Sequence, residues 1–225
     1  MPNDFAELIY LLRRASHEDR ANLAKILDSE GADSPEQLAD RFHQFRAGVI
    51  GQFFSGRDYK QLVTDVADHL QIDWPGLLRD RRWEHAPTVE IEDAVVLKAF
   101  QRLYEQLSEP DRRKLAEELG KAANDPSLVG HILTGGAMAL GSLTGFQIYL
   151  IATTAVGALT GALGITLPFV IYTGVTRAIG IALGPIGWVF LGVTVLFQLN
   201  RTNWSRLVPG VIYVSYIRHK LDSDK

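Results

Sequence analysis

PSLVGHILTGGAMALGSLTGFQIYLIATTAVGALTGALGITLPFVIYTGVT, residues 126–176, contains no Asp, Glu, Lys or Arg, and 23 more uncharged residues follow Arg177. The core helix of an ordinary water-soluble domain shows a wet face in every turn, whereas a bilayer asks for about 20 apolar residues in a row. Two or three such spans fit here. The expected segments are 128–149, 148–172 and 178–199, with Pro168 and Pro185 as turns or kinks.

Thirteen of the twenty glycines lie between residues 126 and 200. Three pairs are four apart: Gly141 with Gly145, Gly157 with Gly161, and Gly180 with Gly184. Glycines at that spacing share a helix face and let a second backbone approach closely, which matters most in lipid, where association gains nothing from expelling water. Within a water-exposed helix each would cost about 1 kcal/mol against alanine. The pattern therefore predicts close helix packing in a membrane or a homo-oligomer. Arg177, the one formal charge in 126–200, either needs a carboxylate, water or an interfacial position, or occupies a loop between two apolar helices. A second reading makes these helices the buried centre of a water-soluble protein, screened by charged helices around them.

Those charged helices precede the run. Of the 49 charged residues in the 225-residue chain, all but eight precede residue 126. Residues 1–125 carry 17 basic and 24 acidic side chains, a net of −7, and the remainder 6 and 2, a net of +4. An acidic front half is a poor grip for a phosphate backbone, so no nucleic acid is expected as partner. Arg201, Arg206, Arg218, His219 and Lys220 follow the last apolar segment, which suggests that this end stays cytoplasmic. No basic start with an apolar core and cleavage site opens the sequence, and no secretory signal is expected. Trp188, Trp204, Tyr149 and Tyr172 suit interfacial anchors, and equally a core.

The front half reads as short, well-capped helices. Ser34-Pro35-Glu36-Gln37 offers an N-cap, a proline at the first helical position and a reciprocal Gln. Ser16 with Asp19, and Ser108 with Asp111, repeat the grammar with a shorter acid. Setting one serine on the other aligns LLRRASHEDRANLAKIL (11–27) with LYEQLSEPDRRKLAEEL (103–119), so that Arg20 falls on Arg112 and Leu23 on Leu115. Each copy predicts a helix, a tight turn and a second helix. A duplication explains this, and so do two independently capped hairpins. Apolar stripes at helical spacing run through 58–71 and 88–107.

Chemistry-bearing motifs are absent from the sequence. There is no cysteine, no phosphate-cradling GxxxxGK[ST], no HExxH and no GxSxG. Asp65, Asp68, His69 and Asp73 fall on one helical face, read as a solvated acidic surface and not a metal site. Glu90, Glu92 and Asp93 suit the dipole at a helix start. No catalytic residue, cofactor or metal is expected.

Several stretches resemble the YaaW family, uncharacterised bacterial proteins grouped with the ubiquinol-cytochrome c chaperone domain. They are LIYLLRRASHEDRANLAKIL (8–27), YKQLVTDVADHLQI (59–72), VEIEDAVVLKAFQRLYEQLSEPDRRKLAEEL (89–119) and Gly184-Pro185-Ile186-Gly187-Trp188. Trp204-Ser205-Arg206-Leu207-Val208-Pro209 stands where the family shows a Tyr-Arg-Val-Thr-Ile-Pro-like sequence, with the arginine, Arg206, one position later before Pro209. The resemblance implies that residues 1–125 are a recognition module for an apolar helix and not a catalyst.

The sequence thus predicts an all-α protein: an acidic helical-hairpin region (1–125) packed with a Gly-rich apolar helical hairpin or bundle (126–200), then an amphipathic basic segment (201–225). Two functions follow. One is a membrane-associated, conditionally inserting or pore-forming stress or defence factor shielded by its front half, in the bacterial cytoplasm at the inner membrane. The other is a chaperone-like assembly factor that binds an apolar client helix.

Overall fold

Four helices of the front half start where a side chain closes free amides. Ser16 Oγ accepts from the Asp19 amide at 3.0 Å, Asp58 Oδ1 from that of Gln61 at 2.7 Å, and Ser108 Oγ from that of Asp111 at 3.4 Å. Ser34 and Gln37 exchange both bonds of a capping box, at 3.2 and 3.3 Å. The computed structural model describes residues 5–50, 58–72, 85–134, 143, 145–165, 167 and 204–223. Among them are α1 (Ala6–Arg14), α2 (His17–Ile26), α3 (Pro35–Ile50), α4 (Tyr59–His69), α5 (Thr88–Glu105), α6 (Glu109–Ala123), α7 (Pro126–Thr134), α8 (Phe146–Ala162) and α9 (Trp204–Ser223), and no strand. The all-α expectation holds.

Helix C-termini leave carbonyls without partners, and arginines from elsewhere take them. Arg20 Nη1 donates back across the α1–α2 turn to Ala15 O at 2.7 Å and to Leu12 O at 3.5 Å. Arg112 repeats this across the α5–α6 turn, donating to Tyr104 O at 3.0 Å and Glu105 O at 2.6 Å. In both hairpins the arginine reaches the carbonyl eight residues earlier, so the sequence echo is also an echo in geometry. Arg41 and Arg206 serve the end of α2, bonding Leu27 O (3.0 Å) and Ile26 O (3.1 Å), and Arg102 serves Leu70 O at the end of α4 (2.8 Å). Asp28, Gln71 and Asn124 turn these chain ends at φ of 53°, 57° and 50°, a left-handed conformation usually left to glycine.

The last helix is the axis of the packing. α9 contacts α8, α5, α2, α3 and α4. Every residue from Leu207 to Ile217 is buried, on all faces of the helix and not on one. Pro209 interrupts its backbone ladder, and beside it a Cβ on Gly210 would stand 3.0 Å from both Leu27 Cδ2 and Phe42 Cε1. α9 therefore lies close against the α2–α3 corner because residue 210 has no side chain. One apolar cluster runs from Phe5 through α9 and includes residues on both sides of position 125.

The apolar half departs from the expected spans. No single helix spans 128–149, because Gly145, the N-cap of α8, sits at a φ of 55°, which a right-handed helix cannot continue. In the segment expected over 148–172, α8 ends at Ala162. There Gly164, at a φ of 74°, closes a Schellman turn, with Ile165 N donating to Thr160 O at 2.9 Å and Gly164 N to Gly161 O at 3.0 Å. α8 has 17 residues, about 26 Å at 1.5 Å each, against a hydrocarbon thickness of about 30 Å. Among the described residues no helix is long and apolar enough to cross a membrane. The third expected segment, 178–199, lies outside the described residues.

Candidate functional site

Three consecutive cations end the buried part of α9. Successive helical residues point about 100° apart, so Arg218, His219 and Lys220 aim at three different neighbours. Arg218 meets α5 and α1: its Nε donates to Glu92 Oε2 at 2.7 Å, and its Nη2 to Glu92 Oε1 at 3.0 Å and to Glu7 Oε1 at 3.1 Å. His219 Nε2 lies 2.7 Å from Asp93 Oδ1 on α5, which also accepts from Ser215 Oγ at 3.2 Å. Lys220 Nζ holds both oxygens of Asp19 on α2, at 3.0 and 2.9 Å. Thr88 Oγ1 donates to the second Glu7 oxygen at 2.7 Å, tying the start of α5 to α1. A groove of about 230 Å³ opens beside this cluster between α1, α5 and α9.

Burial decides the electrostatics. Glu92 has no solvent exposure, and desolvation pushes its carboxyl above the usual range while the two Arg218 hydrogen bonds pull it back. Both bonds favour the ionised carboxylate. The Tyr59 hydroxyl is buried beside the same carboxylate, and burial first, then the Glu92 charge, drives its pKa well up. At His219 burial disfavours the charged ring, but the hydrogen bond and charge of Asp93, with Glu92 and Asp222 behind it, hold the pKa above its ordinary value.

An aromatic column connects this cluster to the apolar helix. Lys220 lies 5.7 Å from the Tyr216 ring centre, and Tyr216 packs on Tyr213 at 5.1 Å and on Tyr149 of α8 at 5.3 Å, with Phe146 next at 5.5 Å. α8 has no formal charge, and Ile148, Leu150–Val156 and Ala158–Thr160 are buried. Thr153, Thr154 and Thr160 donate to carbonyls four residues back, at 2.8, 2.9 and 2.7 Å, so these hydroxyls need no partner outside the helix. Gln147, in its first turn, donates to Asp125 Oδ2 at 2.6 Å.

The residues singled out from sequence fall in different places. Gly157 and Gly161 lie on α8, half-buried, and no described atom stands within 4 Å of a Cβ built on Gly161. Gly145 is the N-cap of α8. Gly141, Arg177, Gly180, Gly184, Pro185, Gly187 and Trp188 lie outside the described residues. Arg206 and Pro209 are on α9, the first tied to the end of α2 and the second in the packed core. The cations read as a membrane flank are engaged inside the protein, because Arg206, Arg218, His219 and Lys220 all find partners on α1, α2 or α5. Trp204, read as an interfacial anchor, stacks on His69 at 4.1 Å. Asp65, read as part of a solvated face, is held by the nearly buried Arg46 at 2.6 Å.

Glu92 and Asp93 were legible only as acids at a helix start. The available signal was the mismatch between an acid at 92 and its place in the stripe formed by Ile91, Val95 and Val96.

The chain is similar to three proteins of Helicobacter pylori, each named "UPF0174 protein". One is 23% identical over 188 residues, covering 82% of this chain and 71% of the relative. The others are 25% identical over 197 residues (84% and 90%) and 26% identical over 200 residues (86% and 91%). That name assigns no activity. No family model matches the chain, and no solved structure does.

Proposed function

We propose that this is a non-enzymatic sheath protein of the bacterial cytoplasm that keeps an apolar helix, α8, out of water and presents it conditionally to the inner membrane. The observation that carries the reading is the character of α8. It is uncharged, its threonine hydroxyls are satisfied within the helix, and it is held on one side by a helix whose end is fixed through ion pairs. Beyond its first turn, from Leu150 to Ala162, such a helix is as well accommodated by lipid as by protein, since no side chain there needs a polar partner outside the helix. Leu133 near the end of α7 and Phe146 at the start of α8 are exposed apolar side chains, at 44% and 48%. At about 26 Å, α8 suits burial in one leaflet or a re-entrant pose better than a complete crossing. The test is carbonate extraction of membranes from cells that make the full chain: retention in the pellet supports the reading, and complete release into the wash removes it.

The cradle around α9 favours a second reading. α2, α3, α4 and α5 already enclose an apolar helix from this chain, which is what an assembly factor does for a client helix. Under that reading a helical apolar peptide binds the full chain in detergent-free buffer, and carbonate releases the protein.

A further inference from the structure

We propose that Arg218, His219 and Lys220 form a proton-operated clasp, in which the His219 imidazolium on Asp93 locks the end of α9, and loss of its proton loosens α9 and the sheath over α8. This deepens the sheath reading and rests on it for its consequence, though the clasp itself stands on geometry.

Four ion pairs join one helical turn to α1, α2 and α5, and only the middle cation can change charge near neutral pH. Arg218 stays charged throughout. Asp93 Oδ1 is shared between His219 and Ser215, so a neutral ring leaves that carboxylate with the serine hydroxyl and no cation at this contact. Burial disfavours the His219 proton, and the acids around the ring favour it. They are Asp93 and Glu92 from α5, Asp222 on its own helix, Glu7 of α1 behind Arg218, and Asp19 of α2 behind Lys220. Against these stand Arg218 and Lys220, each taken by its own carboxylate. Of the other packed helices, α8 brings Tyr149, α4 brings Tyr59, and α3 brings Arg46, already paired with Asp65.

The sign follows from linkage. A histidine held protonated by the fold contributes stability that is complete below its ordinary pKa of 6.5 and is lost as pH rises through the higher folded value. Acid therefore closes the clasp and alkali opens it. The aromatic column from Lys220 through Tyr216 to Tyr149 passes the loosening to α8.

The test is hydrogen exchange of the α9 amides in the full chain between about pH 6 and about pH 8.5, corrected for the intrinsic rate. Wild type is expected to lose protection at its last turns about threefold or more across that range. His219→Gln should be poorly protected at both ends, and His219→Arg, with a permanent charge, well protected at both. An unchanged wild-type profile, or the wild-type response persisting in His219→Gln, overturns the proposal. Should His219→Gln fail to fold, an NMR titration of the wild-type ring decides: a pKa at or below the ordinary value overturns the clasp. Flotation with anionic vesicles separates the two readings. Failure to float at either pH, with the exchange response intact, removes the membrane role and leaves the clasp, whereas a flat exchange profile removes the clasp whatever floats.

Discussion

Arg218 and Glu92, 126 residues apart in sequence, meet through two hydrogen bonds of 2.7 and 3.0 Å, with the carboxylate sealed from solvent. A buried pair of this kind is weak evidence for net stability, since desolvation offsets much of the attraction, but removing one partner leaves a charge with nothing to balance it. Glu92→Gln is expected to cost about 3 kcal/mol or more in urea unfolding, and Glu92→Met combined with Arg218→Met distinctly less than the sum of the single changes. Additive losses would mean that the two side chains do not act as a pair.

Gly210 sets how closely α9 approaches α2 and α3. A valine there must displace Leu27 and the Phe42 ring, both about 3.0 Å from the first added carbon. Gly210→Val should destabilise by about 2 kcal/mol, although valine is the better helix former, with the loss read as a lower denaturation midpoint at unchanged slope.

Gln71 offers the opposite sign. It is exposed and sits at a φ of 57°, where it closes the end of α4. Gln71→Gly removes the clash of a Cβ in a left-handed turn and is expected to stabilise by about 0.5 to 1 kcal/mol. A lower melting temperature for this variant would contradict the assignment of that turn.

Arg20 and Arg112 should behave alike if the echo is one of structure. Each donates to carbonyls at the end of the preceding helix. Arg20→Gln and Arg112→Gln should each cost about 1 to 2 kcal/mol by thermal unfolding, and a loss confined to one hairpin would break the equivalence.

Local grammar was the legible part. The caps at Ser16, Ser34 and Ser108, and the stripes of α4 and α5, are statements about residues within one or two turns, and the structure contains them. Gly145 was in plain sight as a glycine, yet a spacing of four looks the same whether a glycine lines a helix face or caps its end, and only the backbone angle separates the two. The site was harder to read. Glu92, Asp93 and Asp19 look like ordinary first-turn acids, and Arg218, His219 and Lys220 look like a basic flank, because pairing across more than a hundred residues leaves no mark in local sequence. The place of α9 at the axis was hidden for a related reason: its buried stretch, Leu207 to Ile217, is short beside the apolar run before it.

The most direct measurement of the central claim, that α8 is an apolar helix conditionally held in a sheath, is flotation of the full chain with anionic lipid vesicles, comparing wild type with Glu92→Gln at neutral pH. Little wild-type protein and a clearly larger share of the variant should rise with the vesicles, with tyrosine fluorescence from the α8–α9 column changing on binding. Equal and negligible flotation of both, with the variant still folded by circular dichroism, would contradict it.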